Sequence, residues 1–187
     1  MKAAISTRYG PPEVVSVGDA DAPASAAVQL LKTVGARVTA VCDTANVELA
    51  RQLGADRVVD YTTTDFTLDS QRYDAVFDAV GKSSFGRCRR LLKPRGTYLS
   101  SDLGPLSQNP FLALVTPMFP ARKVKFPIQR MSGHRMVAHV RDLMAAGAFM
   151  PVVDRTYPLE EIVEAYRYVE TGRKIGSVVI TVEPAAA

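Results

Sequence analysis

The sequence is poor in the residues that hold metals and form disulfides. It has two cysteines and two histidines in 187 residues. Cys42 and Cys88 fall on unrelated predicted elements, so they imply no disulfide framework and indicate free thiols in a reducing compartment. His134 and His139 have no cysteine near them in sequence, which makes a zinc set improbable. We therefore predict surface histidines and no metal site.

Signals for secretion, membrane insertion and nucleic-acid binding are also lacking. The N-terminus combines one lysine with a three-residue apolar run, which is too short for a signal peptide or a membrane span. The net charge of +4 is modest, and the basic residues form no stripe interleaved with aromatic residues, as a nucleic-acid face would. We expect a cytoplasmic protein with neither a membrane nor a nucleic-acid partner.

The clearest local pattern is a strand, a helix and a second strand within residues 37–61. Short β-branched runs at both ends are typical of buried strands. Between them, Val47, Ala50 and Leu53 recur at helical spacing, and Gly54 follows where a helix needs a left-handed residue. Two strands joined by one helix must be parallel, with a right-handed crossover. This pattern predicts half of a nucleotide-binding sheet.

The alternation of strands and helices continues along the chain. Further strands are predicted at 73–81, 97–101, 124–128, 151–157 and 177–182, and further helices from Ser25, Ser84, Ser132 and Leu159. Pro94 and Gly96 should end the Ser84 helix, and residues 110–120 should form a short helix or lid. Alternating elements predict the α/β fold class, with a doubly wound parallel sheet.

Several segments resemble one known family. They are AAVQLLKTVGARVTAVC, LARQLGADRVVDY, YDAVFDAVG, LLKPRGTYLSSD and PVVDRTYPLEEIVEAYRYVETGRKIGSVVITV. They are similar to the nucleotide-binding half of the medium-chain dehydrogenase/reductase superfamily, most of all to its zinc-independent quinone oxidoreductase branch. The opening MKAAISTRYGPPEVV resembles the start of that family's catalytic barrel. The resemblance implies a Rossmann-like domain at 24–182, a remnant of a second β domain at 1–23 and a disordered tail at 183–187.

Between residues 23 and 25 the resemblance has a gap. The family would carry most of its barrel here, then a first sheet strand and a glycine-rich phosphate turn, and no G-x-G-x-x-G occurs anywhere in the chain. Such a turn binds the pyrophosphate through backbone N–H groups at a helix N-terminus. The resemblance implies NAD(P) as the cofactor, and the gap predicts that binding is weak or absent.

The absent strand would lie between two others, so two strand edges would be left without partners. The run Val14–Val17 is followed by a short loop and the Ser25 helix. We hypothesise that this run takes the place of the lost strand. Asp19 and Asp21 would then lie near the helix N-terminus, where they would repel a pyrophosphate.

The candidate cofactor-binding residues follow strand ends, where ligands of such sheets bind. Asp43, with Thr44 after it, lies near where an acidic residue would bind the adenosine ribose; the alternative is a helix cap. An acidic residue here favours NAD(H), or the absence of a 2′-phosphate site. By resemblance, further residues would line the adenine and nicotinamide ribose, with loop packing as the alternative: Tyr61, Val80, Gly81 and Ser101. Lys174 resembles the family's lysine near the nicotinamide; the alternative is a solvated cation beyond a helix end.

Three functions remain open from the sequence. The first is a shortened NAD(P)-dependent oxidoreductase that transfers hydride to a small-molecule quinone or an activated alkene or carbonyl, with no catalytic residue identified. The second is a non-catalytic protein that pairs through its last strand, Ser177–Val182, as a homodimer or with a full-length homologue. The third is a methyltransferase-like domain, which YDAVFDAV and LLKPRG also suit but GRKIG does not.

Overall fold

A computed structural model describes residues 21–79, 81, 83–100, 103–104, 107–118, 121–125 and 133–182. The described residues fall into two compact units, one made of 26–150 and the other of 21–25 with 151–182. The predicted strand Val14–Val17 and the predicted tail 183–187 lie outside the described residues. The predicted domain boundaries therefore stay a prediction.

The structure alternates helices and strands along the chain. The helices are α1 Asp21–Thr33, α2 Val47–Gln52, α3 Phe85–Cys88, α4 Gln108–Val115, α5 Gly133–Ala145 and α6 Ile162–Glu170. The strands are β1 Thr39–Cys42, β2 Arg57–Asp60, β3 Tyr73–Asp78, β4 Leu92–Ser100, β5 Lys123–Lys125, β6 Val153–Pro158 and β7 Ser177–Thr181. All strand pairs are parallel. The α/β class with parallel sheets is thereby confirmed.

Strands β1 and β2, joined by α2, form the strand–helix–strand unit that the sequence predicts. Their register runs from Thr39 opposite Arg57 to Cys42 opposite Asp60. Gly54 adopts a φ of +96° just past α2, a conformation that glycine reaches without steric strain. Carboxyl ends of parallel neighbours meet at one edge, so Asp43 and Tyr61 leave the sheet side by side.

Strands β3, β4 and β5 carry the buried core of the larger unit. Cys88, Leu92, Tyr98 and Val124 form the cluster, and Phe66, Val76, Phe85, Leu112 and Ala113 pack against it. The prediction that Pro94 and Gly96 end a helix was wrong, because β4 already begins at Leu92 and α3 ends at Cys88. The register shifts between Tyr73 and Ala75. A Cβ on Gly96 would lie 3.0–3.2 Å from three backbone oxygens, so glycine permits this close approach.

The predicted single sheet is divided in the structure. Within the described residues, the strands pair as β1–β2, β3–β4–β5 and β6–β7. The break between β1 and β3 occurs where the sequence gap predicts that two edges lose a partner. Val41 on β1 and Phe77 on β3 are 43% and 42% exposed.

Helix α1 begins earlier than the sequence predicts. Its first residue is Asp21, so Ser25 lies inside the helix and is not its cap. Pro23 is compatible with this start, since the first turn needs no donor from proline. The end agrees with the prediction: Gly35 has a φ of +73°. The buried Gln29 side chain accepts from Met150 N at 2.8 Å and donates to Met150 O at 2.9 Å, tying α1 to the chain beyond α5.

The smaller unit is built on β6, α6 and β7. Tyr168 Oη donates to Asp154 Oδ2 at 2.6 Å, and the Arg155 guanidinium lies 3.8 Å from the Tyr168 ring centroid. Gly172 ends the helix with a φ of +65°, as the sequence predicts. Among the described helices of the whole chain, none is long and apolar enough to cross a lipid bilayer.

Candidate nucleotide-binding rim

We use the term rim for the carboxyl ends of β1, β2, β3 and β4 and the residues that follow them. In open parallel sheets this edge is where ligands bind. The rim contains most of the predicted site residues: Asp43, Thr44, Tyr61, Val80, Gly81 and Ser101. Val80 and Ser101 lie outside the described residues. The other four can be placed.

Asp43 is a helix cap in the structure. Its Oδ1 accepts from the backbone N of Asn46 at 3.0 Å and from Asn46 Nδ2 at 2.7 Å. This begins a 3₁₀ turn at Thr44–Asn46 that leads into α2. Both hydrogen bonds use the same oxygen. The cap fixes the carboxylate at the end of β1, a position compatible with the ribose interaction that stays a prediction.

Thr44 is held by the neighbouring strand rather than by the helix. Its hydroxyl donates to Asp60 Oδ2 at 2.6 Å and lies 2.8 Å from the Thr62 hydroxyl. The Thr62 hydroxyl and backbone N donate to Asp60 Oδ1 at 2.7 and 2.9 Å. Hydrogen bonds from Thr44 and Thr62 hold the pKa of Asp60 below its usual value. Asp60 therefore stays ionised and links the ends of β1 and β2.

Negative charge accumulates at this end of the rim. Burial raises the pKa of the Cys42 thiol, and the carboxylates of Asp43 and Asp60 raise it further. Tyr61 follows Asp60, donates its backbone N to Cys42 O at 2.9 Å and is 54% exposed. The predicted contact between Tyr61 and the adenine or nicotinamide ribose stays a prediction.

Gly81 lies in a turn that is organised by Asp78, a residue that sequence reasoning missed. Asp78 Oδ1 accepts from Gly81 N at 2.8 Å, while Oδ2 accepts from Ser83 N at 3.1 Å and from Tyr98 Oη at 2.9 Å. Gly81 has a φ of +72°, which a glycine adopts readily. A local signal for the turn contact was present in the sequence, because Asp78 ends the strand three residues before Gly81.

Lys174 belongs to the smaller unit, and the structure does not agree with the alternative interpretation of this residue as a solvated cation. The residue is 8% exposed, and its Nζ donates to Gly176 O at 3.1 Å. Its neighbour Gly176 packs against the chain entering β6: a Cβ there would lie 2.4 Å from Val152 O. The predicted contact between Lys174 and a nicotinamide stays a prediction.

The described part of the chain brings no three metal-ligating side chains of the His, Cys, Asp or Glu types together. His134 and His139 both lie exposed on α5, as surface histidines. Cys42 and Cys88 are free thiols on separate elements. The described residues therefore do not fit a zinc site, and we derive no step through a metal.

Comparisons with known proteins agree with this fold. The model of the family described as zinc-binding dehydrogenase matches residues 53–180. A 2-methylene-furan-3-one reductase from Solanum lycopersicum is 29% identical over 171 residues, covering 89% of this chain and 39% of that protein. The mitochondrial NAD(P)H oxidoreductase RTN4IP1 of Mus musculus is 31% identical over 175 residues, with 83% and 44% covered.

Solved structures support the same fold. The quinone oxidoreductase of Coxiella burnetii superposes with a TM-score of 0.70 at 25% identity, covering 84% of this chain and 49% of that one. The chain spans less than half the length of each of these three proteins. Because the family model matches more than half of the chain, we conclude that this protein belongs to the zinc-binding dehydrogenase family, in the zinc-independent quinone oxidoreductase-like branch of the medium-chain dehydrogenase/reductase superfamily.

Proposed function

We propose that this chain is a shortened NAD(P)H-linked reductase of the quinone and alkenal type. The observation that carries the proposal is the register of β1 and β2, which brings Asp43 and Tyr61 to one edge of the sheet. The family supports the same reading, since relatives of this chain are described as NAD(P)H oxidoreductases and reductases. The small molecule reduced would be a quinone or an activated alkene or carbonyl.

The proposed hydride transfer depends mainly on the positioning of cofactor and substrate and needs no nucleophilic side chain. A nicotinamide bound here would supply a hydride to the substrate, and a proton from water would complete the reduction. The protein's part is to hold the two reactants in line and to exclude water, and correct placement alone can supply much of the rate. The described residues that hold the rim in shape are thus more relevant than any acid–base pair, and we assign no catalytic residue.

We further propose NADH rather than NADPH as the preferred cofactor. The carboxylates of Asp43 and Asp60 both lie at the end of β1 and β2. A 2′-phosphate placed there would meet like charge, which disfavours binding.

The free thiols of Cys42 and Cys88 support a reducing, cytoplasmic location for the protein.

Reductase activity should be measured by following the absorbance of NADH and NADPH with a quinone and with an α,β-unsaturated ketone. We expect slow, protein-dependent cofactor oxidation that saturates only at millimolar cofactor. The Asp43→Asn variant tests the cofactor preference, because it keeps an acceptor for the helix cap and removes the charge. It should raise the rate with NADPH relative to the rate with NADH. Absence of oxidation at millimolar cofactor, in protein of verified intact mass, would exclude an independent enzyme.

The second candidate is a partner-binding protein that pairs through β7. In the described part of the chain, β7 pairs only with β6, which leaves one backbone edge for another strand. Val179 in this strand is 36% exposed. A homodimer, or a pair with a full-length homologue, would bury this edge without any catalysis.

Sedimentation velocity tests this second candidate. We expect a dimer for the wild-type chain and a monomer for Val179→Lys, because a lysine on an edge strand opposes edge-to-edge pairing. Val163→Lys is the matched control, since Val163 is an exposed valine on α6 of the same unit, and it should remain a dimer. A monomeric wild type, alone and mixed with a homologue, would rule out the β7 interface.

A further inference from the structure

Asp78 accepts hydrogen bonds from three donors in two parts of the larger unit. It ends β3, and its carboxylate accepts from Gly81 N at 2.8 Å, Ser83 N at 3.1 Å and Tyr98 Oη at 2.9 Å. Two of these donors are backbone groups of the turn at the rim. The third is the hydroxyl of Tyr98, near the carboxyl end of β4. The side chain therefore connects a surface turn to the interior of the sheet.

The interior end of this connection is rigidly held. Tyr98 is fully buried in the core cluster, with the Phe85 ring centroid 6.0 Å from its own. Burial raises the pKa of the Tyr98 hydroxyl, and the charge and hydrogen bond of Asp78 raise it further. The hydroxyl thus remains protonated at any physiological pH. It acts as a permanent donor that fixes Asp78 Oδ2.

The turn is fixed at a second point beside the carboxylate. Ser83 Oγ lies 3.2 Å from the sulfur of Cys88, a core residue that is 1% exposed. Ser84 then caps α3 by accepting from Arg87 N. The turn between β3 and α3 is accordingly held by a carboxylate on one side and a buried thiol on the other.

We propose that Asp78 is the positioning residue of the rim, and that it presets the Gly81 and Ser83 backbone before any nucleotide arrives. This inference rests on the proposed function for its ligand, a nicotinamide nucleotide. In a chain without a glycine-rich turn, the remaining backbone surface at Gly81 must supply a larger part of the binding. A turn that is already ordered loses less conformational entropy when a ligand binds.

The test compares Asp78→Asn with Asp74→Asn. Asp74 lies on the same strand, but its side chain is 86% exposed and its partner is Lys93, so it controls for loss of a β3 carboxylate. The carboxamide at position 78 offers one acceptor oxygen in place of two, so it must leave one or two of the three donors unpaired. Hydrogen exchange should become at least ~10-fold faster in Asp78→Asn at whichever of the Gly81 and Ser83 amides loses its acceptor oxygen, and it should be unchanged at both amides in Asp74→Asn.

A fluorescence titration with NADH separates this inference from the proposed function. We expect ~10-fold weaker binding for Asp78→Asn and no change for Asp74→Asn, with the far-ultraviolet circular dichroism of both variants native. If the wild type binds no NADH at all, the proposed function fails, and the exchange data still decide whether Asp78 orders the turn. Unchanged exchange in Asp78→Asn overturns the inference, and so does faster exchange with unchanged NADH affinity.

Tyr98→Phe serves as the second variant if Asp78→Asn does not fold. It removes one donor and keeps the carboxylate, so exchange at the Ser83 amide should rise severalfold as Oδ2 loses its connection to the core. Binding of NADH should weaken in the same proportion. A Tyr98→Phe protein with wild-type exchange at Ser83 would contradict the role of the buried hydroxyl and, with it, the inference.

Discussion

Titration of the chain with NADH or NADPH should give dissociation constants in the millimolar range. The reason is the absence of a glycine-rich phosphate turn from the sequence. Each hydrogen bond to a charged group contributes about 1.5–3 kcal/mol, so losing two or three weakens binding by roughly 3–9 kcal/mol. A micromolar ligand has about 8 kcal/mol in total. Most of the affinity of an intact dinucleotide site is therefore removed.

Isothermal titration calorimetry, or equilibrium dialysis for weak binding, measures this directly. NADH should bind more tightly than NADPH, because the carboxylates of Asp43 and Asp60 oppose a 2′-phosphate. Asp43→Asn should narrow that difference without unfolding α2, since asparagine caps helices as well as aspartate does. Asp43→Ala removes the cap too and should lower stability by about 1 kcal/mol. A micromolar constant for either cofactor in the wild type would show that another segment replaces the phosphate turn.

Substitution of Gly176 by alanine should be the most damaging single change in the smaller unit. A Cβ at this position would lie 2.4 Å from Val152 O and 2.9 Å from Val152 C, distances at which backbone must move. Ser177 N also donates to Val152 O at 2.7 Å, next to the first paired residues of β6 and β7. We expect a loss of about 3 kcal/mol, and a Tm lower by ~6–12 °C for a chain of this size.

Gly172→Ala is the matched control for this substitution. Gly172 ends α6 with a φ of +65°, and no atom lies within 4 Å of its would-be Cβ. Alanine there meets only the strain of the left-handed conformation, about 1–2 kcal/mol. Thermal unfolding followed by circular dichroism should give a much lower melting temperature for Gly176→Ala than for Gly172→Ala. Equal melting temperatures would mean that the approach of Gly176 to Val152 is not what stabilises the β6–β7 pair.

Local sequence patterns predicted the elements but not all of their limits. The spacing of Val47, Ala50 and Leu53 and the glycine at position 54 identify β1–α2–β2 correctly, because both signals are local. The start of β4 was missed for the opposite reason. Pro94 and Gly96 look like helix terminators in isolation, whereas the structure places them in a register shift opposite β3. Only the partner strand distinguishes the two cases.

In the candidate site, too, the sequence predicted the local contacts and missed those that depend on distant residues. Helix capping by Asp43 was one of two interpretations open from the sequence, and a contact three residues away confirms it. The role of Asp78 depends on Tyr98, which lies 20 residues further along the chain, and no local pattern links them. The burial of Lys174 was also unforeseen, since a lysine between two glycines normally indicates an exposed turn.

The division of the sheet between β1 and β3 has a consequence for how the larger unit opens. Strands that share a ladder of backbone hydrogen bonds tend to unfold together, and in the described residues no such ladder crosses this boundary. The β1–α2–β2 part lacks the fully buried cluster of Cys88, Leu92, Tyr98 and Val124 that β4, β5 and α3 share. Although residues 26–150 form one compact unit, we expect the part that carries Asp43 to open before the part that holds the buried cluster, and faster amide hydrogen exchange in β1 and β2 than in β4 would show this.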